Sequence, residues 1–318
     1  MGLRVAVATA AVCAAVSAAG IADAIKEMHA DPEIFVGYST KEVGYIVTEE
    51  MGRLIKSLES RPSNAPFTMA VSGGSLPRFL AAGLHEHARD FVSAGAGPGN
   101  TAVEGADVLS ANWKRVKAFY ADERIVPHTS AHSNHGTLKE KLWDKLPVEK
   151  HMVYAVNSDL SPERAAATYE KKIRDHVTNL NADGIPVFDL IILGMGPDGH
   201  TASLFPNHEL LKERTKLVAP ITDSPKPPEE RVTLTLPIIN AAKNVWFVVT
   251  GSSKVTAVMD ALSGKSRLPA ALVAPTDGRR VWFLDAEAAA ELKTKFLAAH
   301  RPKPHPKRRH FNGVHEDL

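Results

Sequence analysis

The sequence predicts an α/β fold with a mainly parallel sheet flanked by helices. From about residue 34 to residue 298, short apolar runs alternate with amphipathic helical stretches. The run at 188–193 (FDLIIL) is nearly all apolar, as in a strand covered on both faces. Three apolar runs end in segments rich in glycine or charge, at 72–75, 121–124 and 194–201. In sheets of this class a ligand lies beyond the carboxyl ends of the strands, so these three segments are expected to share one crevice.

The elements follow in order. Val43, Ile46, Val47, Met51, Leu54 and Ile55 recur at helical spacing within residues 41–60. Residues 67–71 form a strand that ends in Ser72-Gly73-Gly74-Ser75, after which Pro77 opens a helix to about Ala88. Residues 93–111 are rich in glycine and alanine and read as a surface insertion. A strand at 116–120 is followed by a loop through Pro127. Residues 161–180 read as a helix capped by Ser161, with Pro162 in its first turn. Residues 231–236 alternate Val232, Leu234 and Leu236 with polar residues, the pattern of a half-buried strand, and 245–249 and 281–284 add two more strands. No internal repeat is present.

A chain of 318 residues is long enough to bury a full core without staples. The reading is one domain over 34–298, preceded by a leader at 1–33 and followed by a basic flexible tail at 299–318. The net charge of +2 argues against strong attraction to nucleic acid or to an anionic membrane. Cys13 is the single cysteine, which excludes an intrachain disulfide and a thiolate zinc site. The 14 histidines show no HExxH or similar pairing, so no metal is expected.

The two ends carry address-like features. Residues 5–19 are apolar and alanine-rich, follow Arg4, and end in small Ser17, Ala18 and Ala19, as in a weak secretory signal. They read equally as a small-residue helix packed on the domain or as a disordered leader, and are too short to span a membrane securely. The chain finishes His315-Glu316-Asp317-Leu318, an ER-retention-like tetrapeptide with its acidic residues in swapped order. The location expected is cytoplasmic, with the ER lumen as the alternative.

The three strand-end segments carry the chemistry. Gly73 and Gly74 let backbone approach an anion at a helix N-terminus, and Ser75 adds a hydroxyl. Neither a Walker pattern nor GxGxxG is formed, so a dinucleotide is not expected. In Ala121-Asp122-Glu123-Arg124 the guanidinium suits a phosphate, while Asp122 or Glu123 either holds Arg124 or binds sugar hydroxyls. The third segment, GMGPDGHTASLFP at 194–206, places His200 in a glycine-shaped loop leaving a buried strand. An imidazole with an ordinary pKa near 6.5 suits proton transfer at neutral pH. Asp198 either orients it or contacts the substrate. Ser203 lacks a GxSxG elbow and is not expected to be a nucleophile.

These motifs, together with Ser133-Asn134 and the run Ser224-Pro225-Lys226-Pro227-Pro228 leading into Arg231, resemble the 6-phosphogluconolactonase family of the glucosamine/galactosamine-6-phosphate isomerase superfamily. The resemblance covers roughly residues 34–298, and GMGPDGHTASLFP is its most specific part. It implies a Rossmann-like α/β fold and hydrolysis of 6-phospho-D-glucono-1,5-lactone in the oxidative pentose phosphate pathway, without metal or organic cofactor. His200 then matches the catalytic base. Gly73, Gly74, Ser75 and Arg124 match the phosphate-binding region, and Arg231 and Lys254 match basic positions near the substrate. The expected partner is a small phosphorylated sugar lactone, with no nucleic acid or membrane, and a monomer is expected. The alternatives are a glucosamine-6-phosphate deaminase/isomerase and a non-catalytic sugar-phosphate-binding protein. The first is disfavoured because Ser203-Leu204-Phe205-Pro206 supplies no carboxylate after the histidine.

Overall fold

The computed structural model describes residues 32–93 and 107–292. The leader through residue 31, most of the glycine-rich insertion, and the chain beyond residue 292 lie outside the described residues, and with them the address-like ends and the domain boundary at 298/299.

Six strands form a wholly parallel sheet: β1 (Glu33–Gly37), β2 (Phe67–Val71), β3 (Val116–Tyr120), β5 (Leu190–Leu193), β8 (Asn244–Val249) and β9 (Arg279–Asp285), in the spatial order β1-β9-β8-β5-β2-β3. Side chains on a strand alternate between faces. Ile191 and Leu193 therefore join a core with Phe119, Phe247 and Trp282 on one face. Leu190 and Ile192 join Met69, Val71, Trp246 and Phe283 on the other. Burial on both faces explains why the β5 run reads as continuously apolar.

Helices α1 (Thr40–Lys56) and α2 (Leu76–Ser93) cover the second face through Val43, Val47, Met51, Leu76, Leu80 and Leu84. Leu138 of the short helix α3 (Asn134–Lys141) joins them. The first face is covered by α4 (Pro162–His176) and by a second sheet, which is three-stranded, antiparallel and ordered β4 (Asp122–Arg124), β7 (Arg231–Leu234), β6 (Val218–Ile221).

The small sheet corrects the sequence reading. The stretch after Tyr120 is not a plain loop, because three of its residues pair with β7. Nor is β7 half-buried: all four of its residues are buried. Its polar side is covered by the 194–206 loop, whose Ser203 N donates to Thr233 Oγ1 and whose Ser203 hydroxyl meets Arg231. The helix opened by Ser161 stops at His176, and the chain then turns back on itself, with Val187 N donating to Asn179 O and Asn181 N to Ile185 O. Among the described residues no helix is long and apolar enough to cross a membrane.

The amino-terminal edge of the large sheet is pinned by Asp189. Its buried carboxylate accepts from Thr68 N at 3.0 Å, from Arg61 at 2.9 Å and from Lys243 at 2.8 Å. The α1–α2 crossing depends on small residues instead. A Cβ on Gly83 would lie 2.2 Å from Gly44 O, and one on Gly44 would lie 2.4 Å from Phe79 O. Gly83→Ala must therefore push α2 away from α1. The expected cost is about 1–3 kcal/mol, as for overpacking elsewhere. Denaturant unfolding measures it, and an unchanged midpoint would contradict this account of the crossing.

Candidate active site

The carboxyl ends of β2, β3 and β5 deliver residues 72–75, 121–124 and 194–201 to one crevice, as the fold logic requires. They enclose a cavity of about 210 Å³ lined by Gly73, Gly74, Ser75, Asp122, Arg124, His200, Arg231 and Lys254, with Ser72, Asn134, Ala202 and residues 194–197 completing the wall. Of the sequence-predicted site residues only Asp198 is set back from the wall, behind His200.

One side of the cavity joins a glycine loop to a group of cationic side chains. Gly74 adopts a left-handed φ of 69°, and a Cβ at Gly73 would lie 1.8 Å from Asn134 Oδ1, so both positions demand glycine. Backbone N–H groups of Arg78 and Phe79 close onto Ser75 O, so the N-terminus of α2 begins at the cavity. Arg124 donates to His132 O at 2.8 Å, while its buried Nε has no partner in the protein; Ser72 Oγ is likewise buried and unpartnered. Burial lowers the pKa of Arg231, and repulsion from Arg124 adds to that. Lys254 is lowered by burial and then by Lys226. Cations that crowd one another with few carboxylates between them favour an incoming anion.

The two acidic residues of the triplet have different jobs, and neither forms an ion pair with Arg124. Glu123 is fully buried and accepts from the backbone N–H groups of Arg124, Asn134 and His135 and from the Ser133 hydroxyl. It thereby fixes the start of α3 and hence Asn134. Burial raises its pKa, against the pull of those backbone donors. Asp122 faces the cavity and accepts from the Ser203 hydroxyl at 2.8 Å.

The opposite wall carries His200. Its loop is wound tightly by Gly196 N bonding His200 O at 2.9 Å and Gly199 N bonding Gly196 O at 3.0 Å, with Gly199 at φ 78°. The Phe205 ring stacks on the imidazole with centroids 5.0 Å apart. Asp198 Oδ1 lies 2.5 Å from His200 Nδ1, and Asp198 Oδ2 accepts from Lys226 Nζ at 2.9 Å. With Nδ1–H donated to the carboxylate, Nε2 keeps its lone pair and has no protein partner. A Cβ on Gly196 would fall 2.0 Å from His200 Nδ1, so only glycine leaves room for the pair. Burial lowers the pKa of His200; Asp198 works against that and Lys226 adds to it. At Asp198 burial works upward, but the bonds from Lys226 and His200 outweigh it and hold the carboxyl well below its usual range.

A family model described as glucosamine-6-phosphate isomerases/6-phosphogluconolactonase matches residues 46–282. The chain belongs to that family. It is 47% identical over 234 residues to the 6-phosphogluconolactonase of Bos taurus, covering 73% of this chain and 83% of that one. Identity to the Homo sapiens 6-phosphogluconolactonase is 46% over 234 residues, with the same coverage. The solved structure of 6-phosphogluconolactonase from Trypanosoma cruzi superposes with a TM-score of 0.67 at 28% identity, covering 82% of this chain and 97% of that one.

Asn134, Ser72 and Lys226 belong to the motifs that carry the resemblance, but the sequence assigns them no role in the site. Nothing local distinguishes an Asn behind a glycine or a Lys in a proline-rich loop from surface residues. Ser72 was read only as part of the glycine loop. Among the described residues no cluster of three or more His, Cys, Asp or Glu is arranged to hold a metal ion.

Glu123→Ala removes the acceptor for three backbone N–H groups and a hydroxyl. Each donor left buried and unmet costs about 1–3 kcal/mol, so a loss of at least about 3 kcal/mol is expected. Chemical denaturation reads it directly, and wild-type stability would show that α3 does not depend on this anchor.

Proposed function

We propose that this chain hydrolyses 6-phospho-D-glucono-1,5-lactone to 6-phospho-D-gluconate, the lactonase step of the oxidative pentose phosphate pathway. The observation that carries the reading is an imidazole with an unpartnered Nε2 on one wall of a cavity whose other wall gathers Arg124, Arg231 and the glycine loop. Membership of the family and the 45–47% identity to mammalian 6-phosphogluconolactonases support it.

In this reading the C6 phosphate docks on Gly73, Gly74, Ser75 and Arg124, with Arg231 and Lys254 contributing positive potential. Asp122 remains available to a sugar hydroxyl. Binding energy from the remote phosphate holds the lactone carbonyl beside His200. His200 Nε2 takes a proton from water as the water oxygen bonds to C1. The carbonyl becomes an oxyanion, which needs a donor in place. Gly196 N–H is engaged with His200 O and Pro197 has no N–H, so neither of these supplies it, and the cationic side chains of the facing wall are donors of the right charge. When the C1–O5 bond breaks, the imidazolium returns the proton to O5. The new carboxylic acid then ionises to the product carboxylate. Asp198 orients the imidazole throughout and stabilises its charged form. No step calls for a cofactor. We read the protein as a monomer with no nucleic-acid partner, acting in the cytoplasm; the alternative compartment, the ER lumen, rests on the ends of the chain, outside the described residues.

His200→Ala is expected to lower kcat by about 10²–10⁴-fold in a folded protein, after subtraction of spontaneous hydrolysis. Near-wild-type turnover in that variant would remove His200 from the mechanism. No turnover by the wild type, with release of ammonia from glucosamine 6-phosphate, would replace the lactonase with the deaminase.

The pH profile is a separate check. The base must be neutral, so the rate falls as pH drops through the pKa of His200. Because burial sets that pKa below its ordinary value, the acid limb of kcat/KM should lie below about pH 6.5. A limb above 7 would contradict the buried imidazole.

A further inference from the structure

The reaction just derived needs an imidazole that is neutral at rest and a willing acid once protonated. A carboxylate bonded to Nδ1 opposes both, because it stabilises the imidazolium. The site contains a counterweight. Lys226 Nζ lies 2.9 Å from Asp198 Oδ2 and 3.1 Å from His200 Nδ1. In the tautomer that gives its Nδ1 proton to Asp198 Oδ1, the Lys226–His200 contact is a like-polarity approach, tolerated because the carboxylate lies against both.

The backbone around Lys226 is built to keep it there. The Ser224 hydroxyl donates to Lys226 O at 2.8 Å and accepts from Lys226 N at 3.3 Å. Arg231, nearly fully buried, donates through Nη2 to Lys226 O at 2.7 Å and to Pro227 O at 3.3 Å, and through Nε to Pro228 O at 2.9 Å. A buried guanidinium that spends most of its donors on three successive carbonyls is holding a loop in place. The family resemblance implies only a basic position near the substrate for it.

We propose that Lys226 is a positioning residue for the lactonase reaction: clamped by Arg231 against Asp198, its ammonium offsets the carboxylate's negative charge at His200 and fixes the imidazole with Nε2 facing the cavity. The inference rests on the lactonase reading for its purpose and on geometry for its substance. The charged groups around His200 are Asp198 and Lys226, both in contact with it, and across the cavity Asp122, Arg124, Arg231 and Lys254, with Arg231 also lying behind the Phe205 ring. The remaining side of the ring is apolar, covered by Phe205. Lys226 is thus the cation nearest the imidazole, and its removal leaves Asp198 unopposed. Lys226 is itself about two-fifths exposed, so replacing it leaves no buried hole.

The test has two arms on wild type, Lys226→Met and Lys226→Arg. The first is an NMR titration of the His200 imidazole without substrate, assigned by its loss in His200→Ala. The expected result is an upward move of the His200 pKa by roughly one unit in Lys226→Met, about tenfold in proton affinity, with Lys226→Arg close to wild type. The second is the pH dependence of kcat/KM on freshly generated lactone, where the acid limb should move upward by the same amount in Lys226→Met and return in Lys226→Arg. A His200 titration that stays put or moves downward in a folded Lys226→Met overturns the proposal, whatever happens to kcat. A residue that merely shaped the loop would lower the rate at every pH without moving the limb, and that outcome overturns it too. Should the wild type fail to hydrolyse the lactone, the proposed function falls, while the titration arm still decides the place of Lys226.

Discussion

Ser203 is fully buried between the loop that carries His200 and the small sheet that carries Asp122, Arg124 and Arg231. Its hydroxyl donates to Asp122 Oδ2 at 2.8 Å and accepts from Arg231 Nη1 at 3.3 Å, and its backbone N–H donates to Thr233 Oγ1 at 3.2 Å. These bonds join the two halves of the cavity, one on a large-sheet loop and the other on the small sheet. In a buried setting each is worth most when all are made, because any one left open strands a polar group away from water. The serine three residues after the histidine is therefore a structural joint. A hydroxyl committed at both its donor and an acceptor position is poorly placed to act as a nucleophile.

Charge is distributed to match that joint. Arg124, Arg231 and Lys254 face the cavity, Lys226 stands behind His200, and the carboxylates among them are Asp122 and Asp198. Burial makes the unbalanced positive charge costly, as the lowered pKa values of Arg231 and Lys254 show. The protein accepts that cost in the folded state, and an anion entering the cavity relieves it. Donors already in place, including the unpartnered Arg124 Nε and Ser72 Oγ, need little reorganisation when that anion arrives. The same field has an opposite use at the imidazole, where a negative neighbour and a positive one are set against each other on a single nitrogen.

Much of this was legible in the sequence, and the limits of legibility are physical. Strands β2, β3 and β5 are central or covered, so apolar runs, broken only by Thr68 in β2 and Lys117 in β3, disclose them to within two residues. The crevice followed because strand ends in a parallel sheet converge. Strand β6 and helix α3 escaped. β6 is four residues long and carries Pro220, and α3 has little apolar periodicity, since its place is fixed by the Glu123 carboxylate at its N-terminus. The sequence pattern extends the helix at 161 four residues too far, because the cap at Ser161 is a local signal, whereas the helix ends ahead of a turn that pairs Leu180 with Pro186. Lys226 was hidden for a related reason: what aims it is Arg231, and a contact between a guanidinium and carbonyls leaves no motif.

The Asp122-Glu123-Arg124 triplet shows how much one error about a local element can conceal. Read as a loop, three adjacent charges have no assigned directions, and either acid can be imagined holding the arginine. As strand β4, they must alternate. Asp122 and Arg124 point into the cavity, while Glu123 points the other way, into the protein, where the amides that begin α3 receive it. The alternation that separates core from solvent in an ordinary strand here separates substrate chemistry from scaffold within three residues. It also links them: the carboxylate on the scaffold side positions Asn134, whose side chain presses on Gly73 and donates to the Asp122 carbonyl at 2.9 Å. The glycine loop and the cationic wall are thus set relative to each other through Asn134, which is itself anchored by a carboxylate that faces away from the cavity. Parts of the cavity wall that come from elements far apart in the chain are in this way tied together by hydrogen bonds.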